Sequence, residues 1–227
     1  MKRSSIIALC IFFSMHLFSQ SLPSYFFVML NSNPDKPKIS DEEVNKIQAA
    51  HMANMDSLSD IGQLVAAGPF HGGGGMFILK AASLEEANNI FNSDPAIKAN
   101  RFITELYPLK MVLGSICPQK GDDYEMVDYQ FIKYGPVPEK FEGEDEKKST
   151  KLNKRHSKFL TDNVFSIRLI AAGNFGSSNG GFLITTRNDD EVFERLLLFD
   201  PWTKSGYFTT EIMTLWIAKG SFCEEGY

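Results

Sequence analysis

Two histidines and two aspartates recur at nearly fixed spacing along this 227-residue chain. His51 and His156 stand 105 positions apart, and the pairs Asp94-Pro95 and Asp200-Pro201 stand 106 apart. A carboxylate beside an imidazole fixes the ring's tautomer and raises its pKa, which prepares it for general acid–base work. Both histidines fall on apolar helical stripes. Val44, Ile47, His51, Met55 and Leu58 follow three- and four-residue spacing, and Leu152, His156 and Phe159 repeat it. An inward-facing ring needs partners for its nitrogens, and the two aspartates are candidates. A single inward histidine is more often a satisfied core residue, and a single Asp-Pro is commonly a helix stop or turn. Retention of both residues in both halves brings the chemical and the structural readings level.

The four residues belong to a wider duplication. Ile61-Gly-Gln-Leu-Val-Ala-Ala-Gly68 aligns with Ser166-Ile-Arg-Leu-Ile-Ala-Ala-Gly173, Phe102 with Phe208, Glu105 with Glu211, and Gly114-Ser-Ile-Cys117 with Gly220-Ser-Phe-Cys223. A long-period match is one supersecondary unit used twice. In the first copy, Tyr25 to Leu30 is a continuously apolar strand. Ser40 and Glu43 form a capping box for a helix that runs to about Asp60. Leu64 to Ala67 and Met76 to Leu79 are strands, Gly68-Pro69 breaks the first, and a Gly72 to Gly75 turn leads into the second. Ser83 caps a second helix, Asp94-Pro95 interrupts it, and Phe102 to Leu109 is the last strand. The second copy follows suit: strands at 126–134, 168–172, 181–185 and 208–216, helices at 150–163 and 189–198. The charged run Glu139 to Lys148 reads as a solvated loop.

This βαββαβ order predicts an α+β chain of two tandem ferredoxin-like repeats. Each antiparallel sheet leaves one face open. Two copies in one chain can cover these faces by packing sheet to sheet, as an intramolecular pseudo-dimer of the dimeric α/β-barrel type. The predicted organisation is a signal peptide at 1–20, a first repeat at 21–117, a linker at 118–125 and a second repeat at 126–227.

The signal peptide rests on Lys2-Arg3, the apolar run Ile6 to Phe18 and the polar exit Ser19-Gln20. That apolar run is short for a membrane span, which needs roughly 20 residues. A retained N-terminal anchor is the alternative. The mature protein is expected outside the cytoplasm, periplasmic or secreted, with no membrane contact after cleavage. Two cysteines then remain, Cys117 and Cys223, at matching ends of the copies. An oxidising compartment permits a disulfide between them, and two independent buried thiols are the alternative.

A net charge of −5 without a basic stripe gives no reason to expect a nucleic-acid partner. No Cys-x-x-Cys occurs, and no histidine pair stands one helical turn apart, so no metal or cofactor is expected. Gly72 to Gly75 lacks the Gly-Lys-Ser/Thr of a phosphate loop. His71, just before it, aligns with Gly176 and reads as a loop residue.

His51-Met-Ala-Asn-Met, Gly62-Gln-Leu-Val-Ala-Ala-Gly-Pro69, Ser83-Leu-Glu-Glu-Ala87 and Asp94-Pro95 ahead of Phe102 together resemble the YciI-like (YCII-related) domain. The second copy resembles it through His156, Leu169-Ile-Ala-Ala-Gly173 and Asp200-Pro-Trp-Thr-Lys-Ser-Gly206. It departs at Asn174, where the family favours proline, and the first copy departs at Asn100, where glycine is usual. The resemblance implies a dimeric-barrel fold and an active site centred on His51 with Asp94 and on His156 with Asp200. One family member is a dehydrochlorinase of a chlorinated hydroxyquinol, so the fold hosts cofactor-free proton transfer. The expected function is elimination, isomerisation or dehalogenation of a small cyclic or aromatic molecule, with Phe70, Phe102, Phe175, Trp202 and Phe208 as pocket walls. Non-catalytic ligand binding or a structural role is the alternative. The substrate and any further self-association stay open.

Overall fold

The computed structural model describes residues 24–119, 124–142, 146–176, 180–186 and 190–223. The predicted signal peptide and the centre of the predicted linker lie outside them. Strand β1 (Ser24–Ser32) is apolar on both faces because both are covered: Phe26, Val28 and Leu30 face one core, Phe27 and Met29 another. Helix α1 (Asp41–Asp60) starts at Ser40 with the predicted capping box, Ser40 accepting from the Glu43 N–H and Glu43 reaching back. Strands β2 (Leu64–Pro69) and β3 (Gly75–Ala81) form a hairpin. Gly72, Gly73 and Gly74 turn it at positive φ, and a Cβ on Gly74 would strike the Leu30 carbonyl oxygen. Ser83 caps α2 (Leu84–Asn92), Asp94 caps the short α3 (Pro95–Lys98), and β4 (Phe102–Leu113) and the two-residue β5 (Ser115–Ile116) complete this half.

The second half runs β6 (Met126–Pro136), α4 (Pro138–Phe141), α5 (Glu146–Asp162), α6 (Val164–Ile167), β7 (Leu169–Asn174), β8 (Gly181–Thr185), α7 (Asp190–Phe199), α8 (Pro201–Ser205), β9 (Phe208–Ala218) and β10 (Phe222–Cys223). The charged run expected as loop is thus partly helical. Pro138 starts α4, and Glu146, Lys147 and Lys148, good helix formers, begin α5.

Eight strands form one antiparallel sheet in the order β2-β3-β1-β4-β7-β8-β6-β9. Two separate sheets were expected; they are joined because β4 runs past its predicted end at Leu109. Its extension pairs with β7, Lys110 opposite Asn174 and Met111 opposite Gly173, through a register shift before Leu113. Edge strands β2 and β9 also approach each other, with a single bridge from Phe70 to Leu215, so the sheet turns back on itself. Its inner face gathers Phe27, Met29 and Met76 with Phe131, Phe182 and Leu215 into one buried cluster. Two further clusters lie between the sheet's outer face and the helices, one for each half. The ladder of β5 with β10 carries a Cys117–Cys223 disulfide, with Cα atoms 5.8 Å apart.

Candidate functional site

Asp94 does two local jobs. Its Oδ1 accepts from the N–H groups of Ala96 at 2.8 Å and Ile97 at 3.4 Å, capping α3 with Pro95 in the first turn. Its Oδ2 faces α1, where it accepts from the His51 Nδ1 at 2.7 Å and from the Asn54 amide at 3.2 Å. Asp94 is fully buried and His51 is 8% exposed. Burial pushes the carboxyl up, but the hydrogen bond and charge of His51 and the N–H groups of Ala96 and Ile97 outweigh it, and Asp94 is held below the ordinary aspartate value. An ionised carboxylate only accepts, which assigns a proton to Nδ1 and leaves Nε2 as the ring nitrogen able to give or take a proton. Among the described residues Nε2 has no hydrogen-bond partner. Phe77 and Phe102 flank the ring with centroids at 6.0 and 6.4 Å.

The second pair has the same hydrogen bond in a tighter setting. His156 Nδ1 lies 2.7 and 2.9 Å from the two oxygens of Asp200, which caps α8 through the Trp202 N–H at 2.9 Å. The Tyr134 hydroxyl donates to Asp200 at 2.7 Å. Burial, and then the carboxylate beside it, push that phenol well above its ordinary value. The Trp202 ring lies flat on the His156 ring, centroids 3.7 Å apart and planes 3° apart, and its Nε1 donates to Asn153 at 3.0 Å. By strand register Tyr134, opposite Gly181, takes the place of Leu30, opposite Gly75, and by sequence Trp202 and Phe159 take the places of Ala96 and Asn54. His51 therefore sits in the less crowded site.

Both histidines thus stand within hydrogen-bond reach of their predicted partners. The expected pocket walls divide differently. Phe102 is near His51, and Trp202 and Phe208 pack in the cluster beside His156, but Phe70 and Phe175 belong to the core on the opposite face of the sheet. Strand alternation places them there: they follow β2 and β7 into the interior, whereas the dyads lie under the helices. Neither histidine lines the cavity of about 420 Å³ bounded by Met55, Asp56, Leu64, Tyr124 and Ser221. Nor does either line a second cavity of about 260 Å³ along α5.

Two polar partners escaped the sequence reading. Asn54 stands three residues after His51 on one helix face, a spacing that could have pointed to it. Tyr134 lies 66 residues from Asp200 and carried no such signal. A third polar cluster joins the halves. Glu105 accepts from Asn31 at 2.8 Å, from the Tyr107 hydroxyl at 2.5 Å and from Lys133 at 2.9 and 3.0 Å. Burial pushes Glu105 up, but Tyr107, Lys133 and Asn31 outweigh it and hold it below the ordinary glutamate value. His71 meets Asp128 at 3.0 Å with both side chains more than half exposed, which is a surface pair. Among the described residues, no group of three or more His, Cys, Asp or Glu side chains is placed to hold a metal ion. No described helix is long and apolar enough to cross a membrane.

Residues 25–110 match the YCII-related domain family, a span that contains His51 and Asp94 and stops short of His156 and Asp200. No curated protein matches the chain in sequence. In structure, the chain is similar to two variants of chlorite dismutase from Candidatus Nitrospira defluvii. One gives a TM-score of 0.52 at 13% identity, over 88% of this chain and 93% of the dismutase. The other, in complex with cyanide, gives 0.51 at 12% identity, over 87% and 92%. A candidate monooxygenase from Lactobacillus acidophilus NCFM aligns over 90% of this chain and 97% of its own, at 14% identity and a TM-score of 0.43. At such identities the likeness to the dismutase concerns the fold: a mixed α+β chain with a large antiparallel sheet, consistent with ferredoxin-like architecture.

Proposed function

Starting from the YCII-related domain at residues 25–110, we propose that this chain is a cofactor-free acid–base catalyst acting on a small molecule outside the cytoplasm. The observation that carries this reading is the 2.7 Å hydrogen bond from His51 Nδ1 to Asp94, with Nε2 unpartnered among the described residues. In this reading Nε2 of His51 takes a proton from an acidic C–H or O–H of the substrate. Asp94 keeps the ring in the tautomer that can do so and balances the charge of the imidazolium. The proton returns to another substrate atom in isomerisation, or leaves to solvent as a leaving group departs in elimination or dehalogenation. A small cyclic or aromatic molecule is the substrate class.

The chain is read as two ferredoxin-like units forming a pseudo-dimer, a reading supported by the matching strand orders β2-β3-β1-β4 and β7-β8-β6-β9. Export is supported by the basic and apolar N-terminal run and by the Cys117–Cys223 bond, which suits an oxidising compartment. Of the two dyads, His51–Asp94 is assigned the chemistry. His156–Asp200, stacked under Trp202, contributes mainly to stability.

One observation favours a non-catalytic reading: neither histidine lines either of the two cavities described above. The test is hydrogen–deuterium exchange at carbon, followed by proton NMR in D2O, over a panel of halogenated hydroquinones and cyclic enols. The proposal expects exchange of at least one compound to be accelerated by the protein, lost in His51→Gln and kept in His156→Gln. If His51→Gln folds and no compound exchanges faster with the native protein than with this variant, the dyad is structural.

A further inference from the structure

The two long helices that carry the histidines have opposite charge. Helix α1 holds Asp41, Glu42, Glu43, Asp56 and Asp60 against Lys46 alone. Helix α5 holds Lys147, Lys148, Lys151, Lys154, Arg155 and Lys158 against Glu146 and Asp162. The fold does not require this, since both helices cover the same outer face of the sheet. On a chain of net charge −5, positive charge concentrated on one helix is a local feature.

Part of that charge surrounds a cavity. Lys148, Lys151, Leu152 and Arg155 succeed one another on one face of α5 and, with Tyr207 and the end of α8, border an open cavity of about 260 Å³. The floor is apolar: the Leu152 side chain and the Tyr207 ring, which Phe141 braces edge-on at a centroid distance of 5.2 Å. Lys148 Nζ lies 5.3 Å from the centre of the Tyr207 ring. Lys151 and Arg155 form no ion pair with any described residue. In the first half the positions of Lys148, Arg155 and Tyr207 hold Glu43, Ala50 and Arg101, so neither this ring nor this grouping of cations recurs there.

We propose that this cavity binds a small organic anion, an apolar ring carrying a dianionic oxoanion such as a phosphate monoester. The ring would lie on Leu152 and Tyr207. The oxoanion would meet the guanidinium fork of Arg155 and the ammonium of Lys151, with Lys148 closing the third side. Lys151 and Arg155, the two cations without an ion pair among the described residues, match the two negative charges of a phosphate ester better than the single charge of a carboxylate. The site is one helical turn from His156 but does not depend on either dyad being catalytic.

The probe is phenyl phosphate, titrated into the mature protein and read by calorimetry and by tryptophan fluorescence, because Trp202 is adjacent to the site. Saturable one-site binding is expected, weakened roughly tenfold or more in Lys151→Gln/Arg155→Gln and little changed in Lys154→Gln/Lys158→Gln, whose cations lie on the same helix outside the cavity. Inorganic phosphate should bind more weakly, and phenol should not compete. Three results would each overturn the proposal. One is no saturable binding of phenyl phosphate. Another is equal loss in the two double variants, which would indicate diffuse surface charge. The last is binding of heparin or of anionic phosphatidylserine vesicles to α5 without binding of phenyl phosphate, which would make the helix a macromolecular or membrane contact.

Discussion

Removing each carboxylate in turn should separate the two dyads energetically. Asp200→Ala strands three donors at once: His156 Nδ1, the Tyr134 hydroxyl and the Trp202 N–H. All three residues are buried, Tyr134 at 0% and the others at 2% exposure, so water cannot readily replace the lost acceptor. A buried group left without its partner costs about 1–3 kcal/mol, and a lost N-cap adds about 1 kcal/mol. Because the three share one carboxylate, the costs do not add in full, and about 3–5 kcal/mol is expected, the usual range for breaking a buried pair. Asp94→Ala strands His51 Nδ1, the half-buried Asn54 amide and the two N–H groups of the α3 cap. Asn54 can turn toward solvent and His51 is less crowded, so about 2–3 kcal/mol is expected there. The assay is urea unfolding of the protein at neutral pH with the disulfide intact, alongside thermal melts. For a chain of this size each kcal/mol lowers Tm by roughly 2–4 °C, so Asp200→Ala should lose on the order of 10 °C. If Asp200→Ala costs less than about 1 kcal/mol, the range of a surface change, the reasoning about buried donors is wrong. If it costs less than Asp94→Ala, the asymmetry between the halves is wrong.

Three further outcomes are expected. Asp94 and Glu105 both hold their protons more weakly folded than unfolded, so each contributes stability that is present above the unfolded carboxylate range of roughly 4 and is lost as pH falls through the depressed folded value; the urea midpoint should therefore drop on acidification below about pH 5, and Glu105→Gln should flatten that slope. The Cys117–Cys223 bond closes a separation of 106 residues, so reduction or Cys117→Ser should cost about 3–5 kcal/mol by the chain-entropy argument; an unchanged midpoint with and without reductant would refute this. Gly74 and Gly62 both have positive φ, but a Cβ at Gly74 meets the Leu30 carbonyl oxygen and one at Gly62 meets nothing within 4 Å; Gly74→Ala should cost more than Gly62→Ala, which carries only the backbone penalty of about 1 kcal/mol, and equal losses would show the hairpin yields to the added methyl.

Much of the local structure was legible from residue order. Ser40 with Glu43, and Ser83 ahead of Glu86, capped helices where their spacing said they would. The stripe through Val44, Ile47, His51, Met55 and Leu58 named the residues that turn inward, and the apolar run of β1 named a strand, which the fold then covers on both faces. The candidate site was half legible. The recurrence of His and Asp pointed to two pairs, and both stand within hydrogen-bond reach. What surrounds them was not. Tyr134 reaches Asp200, and Trp202 lies flat on His156, across 66 and 46 residues of chain, with no spacing rule to join them. The charged run at 139–148 misled because charge alone does not separate a loop from a helix end, and Lys and Glu suit the latter.

By itself, the sequence determined the elements whose causes act over a few residues: caps, periodicity, turn glycines and the order of strands and helices. Tertiary structure decided the extension of β4 into a pair with β7, the approach of β2 to β9, the joining of Cys117 to Cys223, and which histidine is sealed under an aromatic ring. The physical reason is one of range. A cap or a helical stripe is a property of neighbouring residues. Strand pairing and ring stacking are sums of many weak contacts between distant ones, and only the folded chain brings those together.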